Sequence, residues 1–118
     1  MSDTLISSRR NPLVKRLRSL SSRAGREEEG LLLLEGTHLL QELIRRNLKP
    51  VELVATERWC QHHLHLLEQL GASTPRRLVT DEVLTAALST TTPDGVACVC
   101  PFNVLPNPPT DVHFLLVL

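Results

Sequence analysis

The sequence predicts an α/β fold in which helices cover both faces of a small four-stranded sheet. Four short apolar runs have the length of strands, and segments with helical spacing of apolar residues separate them. Glycine, proline and threonine–aspartate signals stand at the boundaries. Such alternation is typical of layered α/β domains, and 118 residues are enough for one domain but short for two. We therefore expect a single domain over residues 1–101.

The first predicted helix carries its cations outside a leucine stripe. Asn11-Pro12 is a helix-start signal, because the Asn side chain can accept from an unpaired N–H and proline at the first position loses no hydrogen bond. The pattern predicts a helix from about Pro12 to about Ala24, with Gly25 ending it. Its apolar stripe consists of Leu13, Leu17, Leu20 and Ala24.

The remaining elements alternate between strand and helix. Strands are predicted at residues 31–35, 51–55, 77–80 and 96–100. Helices are predicted after Gly36 to about residue 48, at 59–70 and at 81–88. Thr37 is the predicted cap of the first of these helices and Thr80 of the last. Helices between the strands can cover both faces of the sheet.

The C-terminal residues have a different character. Residues 101–111 contain four prolines in eleven positions, so 102–111 are predicted to be a stiff linker. The apolar run HFLLVL follows, and a strand needs neighbours to pair with. We expect residues 112–118 to be the first strand of a second, truncated domain.

Basic residues are concentrated near the N-terminus. The chain has a net charge of zero, yet seven of its thirteen Lys and Arg residues lie between Arg9 and Arg26. Such a cluster is expected of a phosphate-binding surface, and also of a solvated helix face that keeps a protein in solution. The cluster consists of Arg9, Arg10, Lys15, Arg16, Arg18, Arg23 and Arg26.

Composition excludes several classes of function. One Trp, two Phe and no Tyr are too few for a binder that stacks bases on exposed rings. Three cysteines without a secretory leader indicate a reducing, cytoplasmic setting, and no apolar run is long enough to cross a membrane.

A metal site and autonomous catalysis are not expected either. Cys60, His62, His63 and His65 do not place enough ligands on one helix face, and Cys98 and Cys100 are predicted to be core thiols. No Ser, His and Asp arrangement, paired carboxylate or glycine-rich phosphate loop stands out.

An ordered series of short motifs resembles the N-terminal substrate-binding domain of the SpoU-type (TrmH-like) RNA 2′-O-ribose methyltransferases. The series begins with Ser8-Arg9-Arg10-Asn11-Pro12, Lys15 and Arg26, and continues with an apolar strand that ends in Glu35-Gly36. Its later members are Thr80-Asp81, Thr91-Thr92-Pro93 and Asp94-Gly95. The resemblance covers about residues 6–101 and the start of the next domain.

This resemblance implies a small three-layer α/β/α sandwich, similar to the ribosomal proteins that bind kink-turn RNA. A knotted catalytic domain that binds S-adenosylmethionine and forms the homodimer would follow residue 118. The chain itself would then recognise structured rRNA or tRNA, bind no cofactor or metal, be catalytically inactive and remain a monomer. Two alternatives stay open: a stand-alone RNA-binding scaffold of the ribosomal type, and a protein-interaction module with an acidic partner.

The RNA hypothesis assigns a definite set of residues. Asn11 could touch a base or simply cap its helix, and Gly36 could allow a close backbone approach to RNA or to its own helix. The helix N-terminus at Thr37 and His38 could bind an anion. The predicted RNA-contacting residues are Arg9, Arg10, Asn11, Lys15, Arg18, Arg23, Arg26, Glu35 and Gly36.

Overall fold

Four strands form one mixed sheet in the computed structural model, which describes residues 5–88 and 94–101. The strands are β1 (Leu31–Glu35), β2 (Glu52–Thr56), β3 (Arg76–Val79) and β4 (Val96–Pro101). Their order is β1-β4-β2-β3; β4 is antiparallel to both of its neighbours, and β2 is parallel to β3. The predicted four-stranded sheet is therefore confirmed for the described residues.

Six helices accompany the sheet in the described part of the chain. They are α1 (Pro12–Ser19), α2 (Arg23–Glu29), α3 (Thr37–Arg45), α4 (Glu57–His62), α5 (Leu64–Leu70) and α6 (Asp81–Ala87). None of the helices described is long and apolar enough to cross a membrane.

Helices cover both faces of the sheet, so the predicted three-layer sandwich is confirmed. Successive side chains of a strand point to opposite faces, and Val54 and Leu53 accordingly enter different apolar clusters. Val54 packs in a cluster with α1 and α6, whereas Leu53 packs in a cluster with α3, α4 and α5. Cys98 and Cys100 belong to the second cluster, which confirms that they are core thiols.

The prediction of a single helix between Pro12 and Ala24 is wrong. Helix α1 ends at Ser19, and a second helix, α2, begins at Arg23. The hydroxyls of Ser21 and Ser22 donate to the carbonyls of Arg18 and Ser19. Serine side chains that bond the local backbone compete with continued helix, which explains the break. Ser22 then caps α2 by accepting from a backbone N–H at 3.1 Å.

The prediction that Gly25 ends the first helix is wrong. Gly25 lies buried inside α2. A Cβ at this position would approach the carbonyl oxygen of Ser19 to 1.8 Å, so only glycine lets the two helices come this close. The residue that ends α2 is Gly30, whose φ of +69° is in the left-handed region.

Two further boundaries differ from the prediction. The helix expected over residues 59–70 is interrupted at His63, and its first part begins earlier because Thr56 caps it at Glu57. Thr37 is not a cap, since Gly36 holds the cap position of α3 without a side-chain hydrogen bond. Thr80 does cap α6, by accepting from Val83 N at 3.2 Å.

One end of the sheet collects several chain segments. Strands β1, β2 and β3 run in the same direction, because β4 is antiparallel to β1 and β2 while β3 is parallel to β2. Their last residues therefore meet at one end, which we call the carboxyl edge and which is marked by Gly36, Thr56, Thr80 and Asp94-Gly95. Ile6 pairs in parallel with Val79, so the chain leaves this bridge toward the same edge.

The expectations for the linker and for the strand at 112–118, and the Thr91-Thr92-Pro93 motif, lie outside the described residues.

Candidate nucleic-acid interface

A rigid turn at the carboxyl edge presents the first two arginines of the cluster. Asn11 N donates to the Ser8 carbonyl at 3.1 Å, and Arg10 N donates to the Ser8 hydroxyl at 3.1 Å. The Asn11 side chain accepts from Leu13 N at 2.9 Å, which confirms that it caps α1. The side chains of Arg9 and Arg10 are exposed on this turn.

Helix α1 runs from the carboxyl edge toward the opposite end of the sheet. Its direction follows from Arg16, which reaches Glu52 at the beginning of β2. Lys15 and Arg18 are exposed on α1, whose eight residues span about 12 Å. We call the exposed side chains of Arg9, Arg10, Lys15 and Arg18 the α1 cationic strip.

The cationic strip has no carboxylate partner within the described ranges, where the ion pairs engage Arg16, Arg23, Arg45 and Arg77. The contrast with Arg16 is direct, since its guanidinium lies 2.6 Å from Oε1 of the buried Glu52. Arg77 contacts Oε2 of the same carboxylate at 2.7 Å. Arg16 thus ties α1 to the sheet, whereas the strip faces solvent.

Two predicted residues lie beyond the far end of α1, on α2. Arg23 pairs with Glu27 at 3.0 Å, but both side chains are more than half exposed, so this pair is weak. Arg26 is half-buried and donates to the Leu20 carbonyl at 3.2 Å, where it satisfies the C-terminal end of α1. Arg26 therefore stabilises the junction between α1 and α2, whereas Arg23 makes only an exposed ion pair within α2.

Glu35 and Gly36 lie at the carboxyl edge, half-exposed. Gly36 has φ of +106° and donates its N–H to the Val96 carbonyl at 3.0 Å, so the turn needs a glycine for its own backbone path. Of the predicted residues, the fold thus brings Arg9, Arg10 and Asn11 to the same edge as Glu35 and Gly36. It places Arg23 and Arg26 toward the other end.

The anion expected at the start of α3 is supplied by the protein itself. Thr37 N donates to Oδ2 of Asp94 at 2.7 Å, and the Thr37 hydroxyl accepts from Nε1 of Trp59 at 2.8 Å. A carboxylate at a helix N-terminus is stabilised by the helix dipole. The N–H and the hydroxyl of Thr37 therefore join three segments of the edge, and His38 and Asp94 are exposed there.

The sequence did not predict the role of Glu52, because a cluster of cations does not show which of them pair with acids inside the fold. An acid within the otherwise apolar run of residues 51–55, in a chain rich in arginine, was the available signal. A buried carboxylate is stable only when it is paired and hydrogen-bonded, and Glu52 has two guanidinium partners. Among the described residues, no group of three or more His, Cys, Asp or Glu could hold a metal ion.

Comparison with known proteins points to one family. The family model of the MRM3-like substrate-binding domain matches residues 11–98. A curated relative, an uncharacterized tRNA/rRNA methyltransferase of Synechocystis sp., is 38% identical over 115 residues. That alignment covers 96% of this chain and 42% of the relative, so the chain spans less than half of the relative's length.

Solved structures show the same fold. A crystal structure of an RNA 2′-O ribose methyltransferase superposes with a TM-score of 0.68 at 19% identity, over 83% of this chain and 37% of the other. The AdoMet-bound rRNA methyltransferase from Sinorhizobium meliloti gives 0.68 at 19% identity, over 83% and 36%.

Proposed function

The chain belongs to the MRM3-like substrate-binding domain family, and from this membership we propose that it is the RNA-recognition domain of an RNA methyltransferase. The relative from Synechocystis sp., which carries a methyltransferase name and is more than twice as long as the match, supports this assignment. The substrate that the domain holds is structured rRNA or tRNA, in the cytoplasm.

The methyl transfer belongs to the remainder of the proposed enzyme. In this proposal residues 1–101 recognise RNA, 102–111 form a linker, and 112–118 begin a catalytic domain that forms the homodimer. That domain methylates the ribose 2′-hydroxyl with S-adenosylmethionine, by analogy with the similar RNA 2′-O ribose methyltransferase and the AdoMet-bound rRNA methyltransferase. In this proposal the chain itself binds RNA and takes no chemical step of the transfer.

The observation that carries the proposal is the α1 cationic strip. It places four exposed cations without carboxylate partners, within the described part of the chain, along one helix and the turn before it. The strip extends over about 12 Å of helix and the turn before it, so its four side chains can contact neighbouring phosphates of a folded RNA. Such contacts provide affinity with little sequence information, so selectivity comes from RNA shape and from the rest of the protein.

The residues of the strip have distinct roles. Arg9, Arg10 and Arg18 carry planar guanidinium groups that can hold a phosphate with two parallel hydrogen bonds. Lys15 supplies a point charge on the outer side of α1. Asn11 caps the helix and thereby fixes the turn that carries the two arginines.

The first test reverses two charges of the strip. Arg10→Glu combined with Lys15→Glu should weaken the binding of folded rRNA or tRNA fragments by about tenfold or more, because two phosphate contacts become repulsive. Filter binding or fluorescence anisotropy at fixed salt measures this change. The matched control is Arg46→Glu combined with Arg58→Glu, which alters net charge equally at two exposed arginines that lie outside the strip and outside the ion pairs of the described residues. Equal losses in both variants, or no loss in the first, would remove the strip from the interface.

A further inference from the structure

A second polar surface lies on the other face of the sheet, away from the α1 cationic strip. Helix α3 and the α4–α5 pair enclose an open groove of about 600 Å³. Its lining contains three imidazoles, one guanidinium and two carboxamides, and no acidic side chain. The lining residues are Gln41, Ile44, Arg45, His62, His63, His65, Leu66 and Gln69.

The local backbone holds two of the imidazoles in place. His62 Nδ1 lies 2.9 Å from the Arg58 carbonyl, and His63 Nδ1 lies 2.9 Å from the Trp59 carbonyl. A carbonyl oxygen can only accept, so in both rings Nδ1 carries the proton and donates it. The His63 ring also stacks on Trp59 with 4.5 Å between ring centroids. In each of these two rings Nε2 is an acceptor when the ring is neutral and a donor when the ring is protonated.

The charges around the groove favour an anion. Arg45 is 71% exposed and contacts Glu42 through one of its nitrogens, at 3.0 Å, which leaves further guanidinium donors. The other charged residues of the three helices, Glu57, Arg58 and Glu68, do not line the groove. His38, at the start of α3, does not line it either. Protonated imidazoles would therefore add positive charge where no lining carboxylate cancels it.

We propose that this groove binds a nucleotide. Its phosphate contacts Arg45 and the imidazoles, and its base lies over the apolar side chains of Ile44 and Leu66. A volume of about 600 Å³ lies in the range of small-molecule sites. The two carboxamides, Gln41 and Gln69, can donate to or accept from a base edge. The choice of a nucleotide rests on the proposed function, since an RNA substrate is its natural source. The groove then gives RNA a second contact, on the layer opposite α1.

The test follows the imidazole resonances of the chain by NMR while adenosine 5′-monophosphate is added. We expect saturable shifts of His62, His63 and His65, with His38 unchanged as the internal reference. No saturable shift, or equal shifts of His38, would overturn the proposal. A response to Zn²⁺ with none to the nucleotide would also overturn it.

A pair of variants separates charge from shape. His62→Gln combined with His65→Gln keeps polar side chains but should weaken the binding of adenosine 5′-monophosphate about tenfold, because two ring donors to the phosphate are lost, whereas His38→Gln should leave it unchanged. A dinucleoside monophosphate without terminal phosphates forms a second arm. Binding of both probes supports an internal RNA phosphate as the source, and binding of adenosine monophosphate alone supports a terminal or free phosphate. Failure of both probes rejects the site.

The groove and the strip can fail independently. Arg10→Glu combined with Lys15→Glu should leave the mononucleotide affinity unchanged, because those residues lie on the other layer. Loss of the mononucleotide response with normal RNA binding rejects the groove alone. A normal mononucleotide response with no RNA binding rejects the proposed function alone.

Discussion

At the scale of single residues, Gly25 shows how close contact fixes a residue type. A Cβ there would lie 1.8 Å from the Ser19 carbonyl oxygen, which belongs to backbone and cannot rotate away. Gly25→Ala should lower the free energy of unfolding by about 3 kcal/mol, as over-packing of a close contact does. Gly30→Ala is the control, since nothing lies within 4 Å of its Cβ and only a φ of +69° opposes it. We expect about 1 kcal/mol there. Equal losses in urea denaturation would contradict this account.

The buried thiols give stability a pH dependence. Burial raises the pKa of Cys100 from 9.0 to about 12. Burial, and to a lesser degree the neighbouring Cys100, raises the pKa of Cys98 well above its ordinary value. Above about pH 9 the unfolded chain therefore releases thiol protons that the folded chain keeps, and stability falls as pH rises toward 12.

The free energy of unfolding should fall by about 1.4 kcal/mol per pH unit for each buried thiol above about pH 9. Below that pH these two groups should give it no pH dependence. Chemical denaturation between about pH 8 and 10.5 measures it. Cys98→Ala combined with Cys100→Ala should remove this part of the slope, and Cys60→Ser should retain it. A slope unchanged by the double variant would refute the assignment.

The sequence was a good guide to residues that act locally. Asn11 could be identified as a cap because its partner, Leu13 N, is two residues away. The hydrogen bond from Thr37 N to Asp94 could not be predicted in this way, because the two residues are 57 positions apart in the chain. Contacts of that kind exist only after the sheet has brought β1 and β4 together.

At the scale of elements, one buried carboxylate adds an ion pair between α1 and the sheet to the apolar packing of this helix, and it has two arginine partners. The side chain of Glu52 is only 6% exposed, whereas those of Arg16 and Arg77 are 36% and 53% exposed. Glu52→Gln should cost about 1–3 kcal/mol of stability, because a buried charged acceptor is lost while both guanidinium groups can still reach water. Amide exchange along α1 should become faster.

The exposed pair on α2 provides the matched control. Glu27→Gln removes a carboxylate from Arg23, but the two side chains are 61% and 85% exposed. We expect a change below about 0.5 kcal/mol and no effect on exchange in α1. If both Glu→Gln variants had the same small effect, the anchoring role of Glu52 would be excluded.

Element boundaries were predictable where one signal dominated. Thr80 before Asp81 and Glu82 gave the start of α6, with acids in its first turn. The division between α1 and α2 was missed because the leucine spacing continues across it. Ser21 and Ser22 stop the helix through side-chain bonds to the preceding carbonyls, which apolar periodicity does not detect.

At the scale of the molecule, the layers were predictable and the strand order was not. Apolar runs show that strands are buried, but they do not specify neighbours, so the position of β4 between β1 and β2 had no signal in the sequence. The strand directions and the course of α1 divide the predicted interface. Arg9, Arg10 and Gly36 lie at the carboxyl edge, whereas Arg23 and Arg26 lie beyond the far end of α1.

The most direct test of the central proposal is the salt dependence of binding to a folded rRNA or tRNA fragment. Four strip cations on phosphates should give a slope of about −3 for log affinity against log salt concentration. Arg10→Glu combined with Lys15→Glu should flatten that slope by more than one unit, and Arg46→Glu combined with Arg58→Glu should preserve it. A slope near zero for the unaltered chain would contradict RNA recognition through this surface.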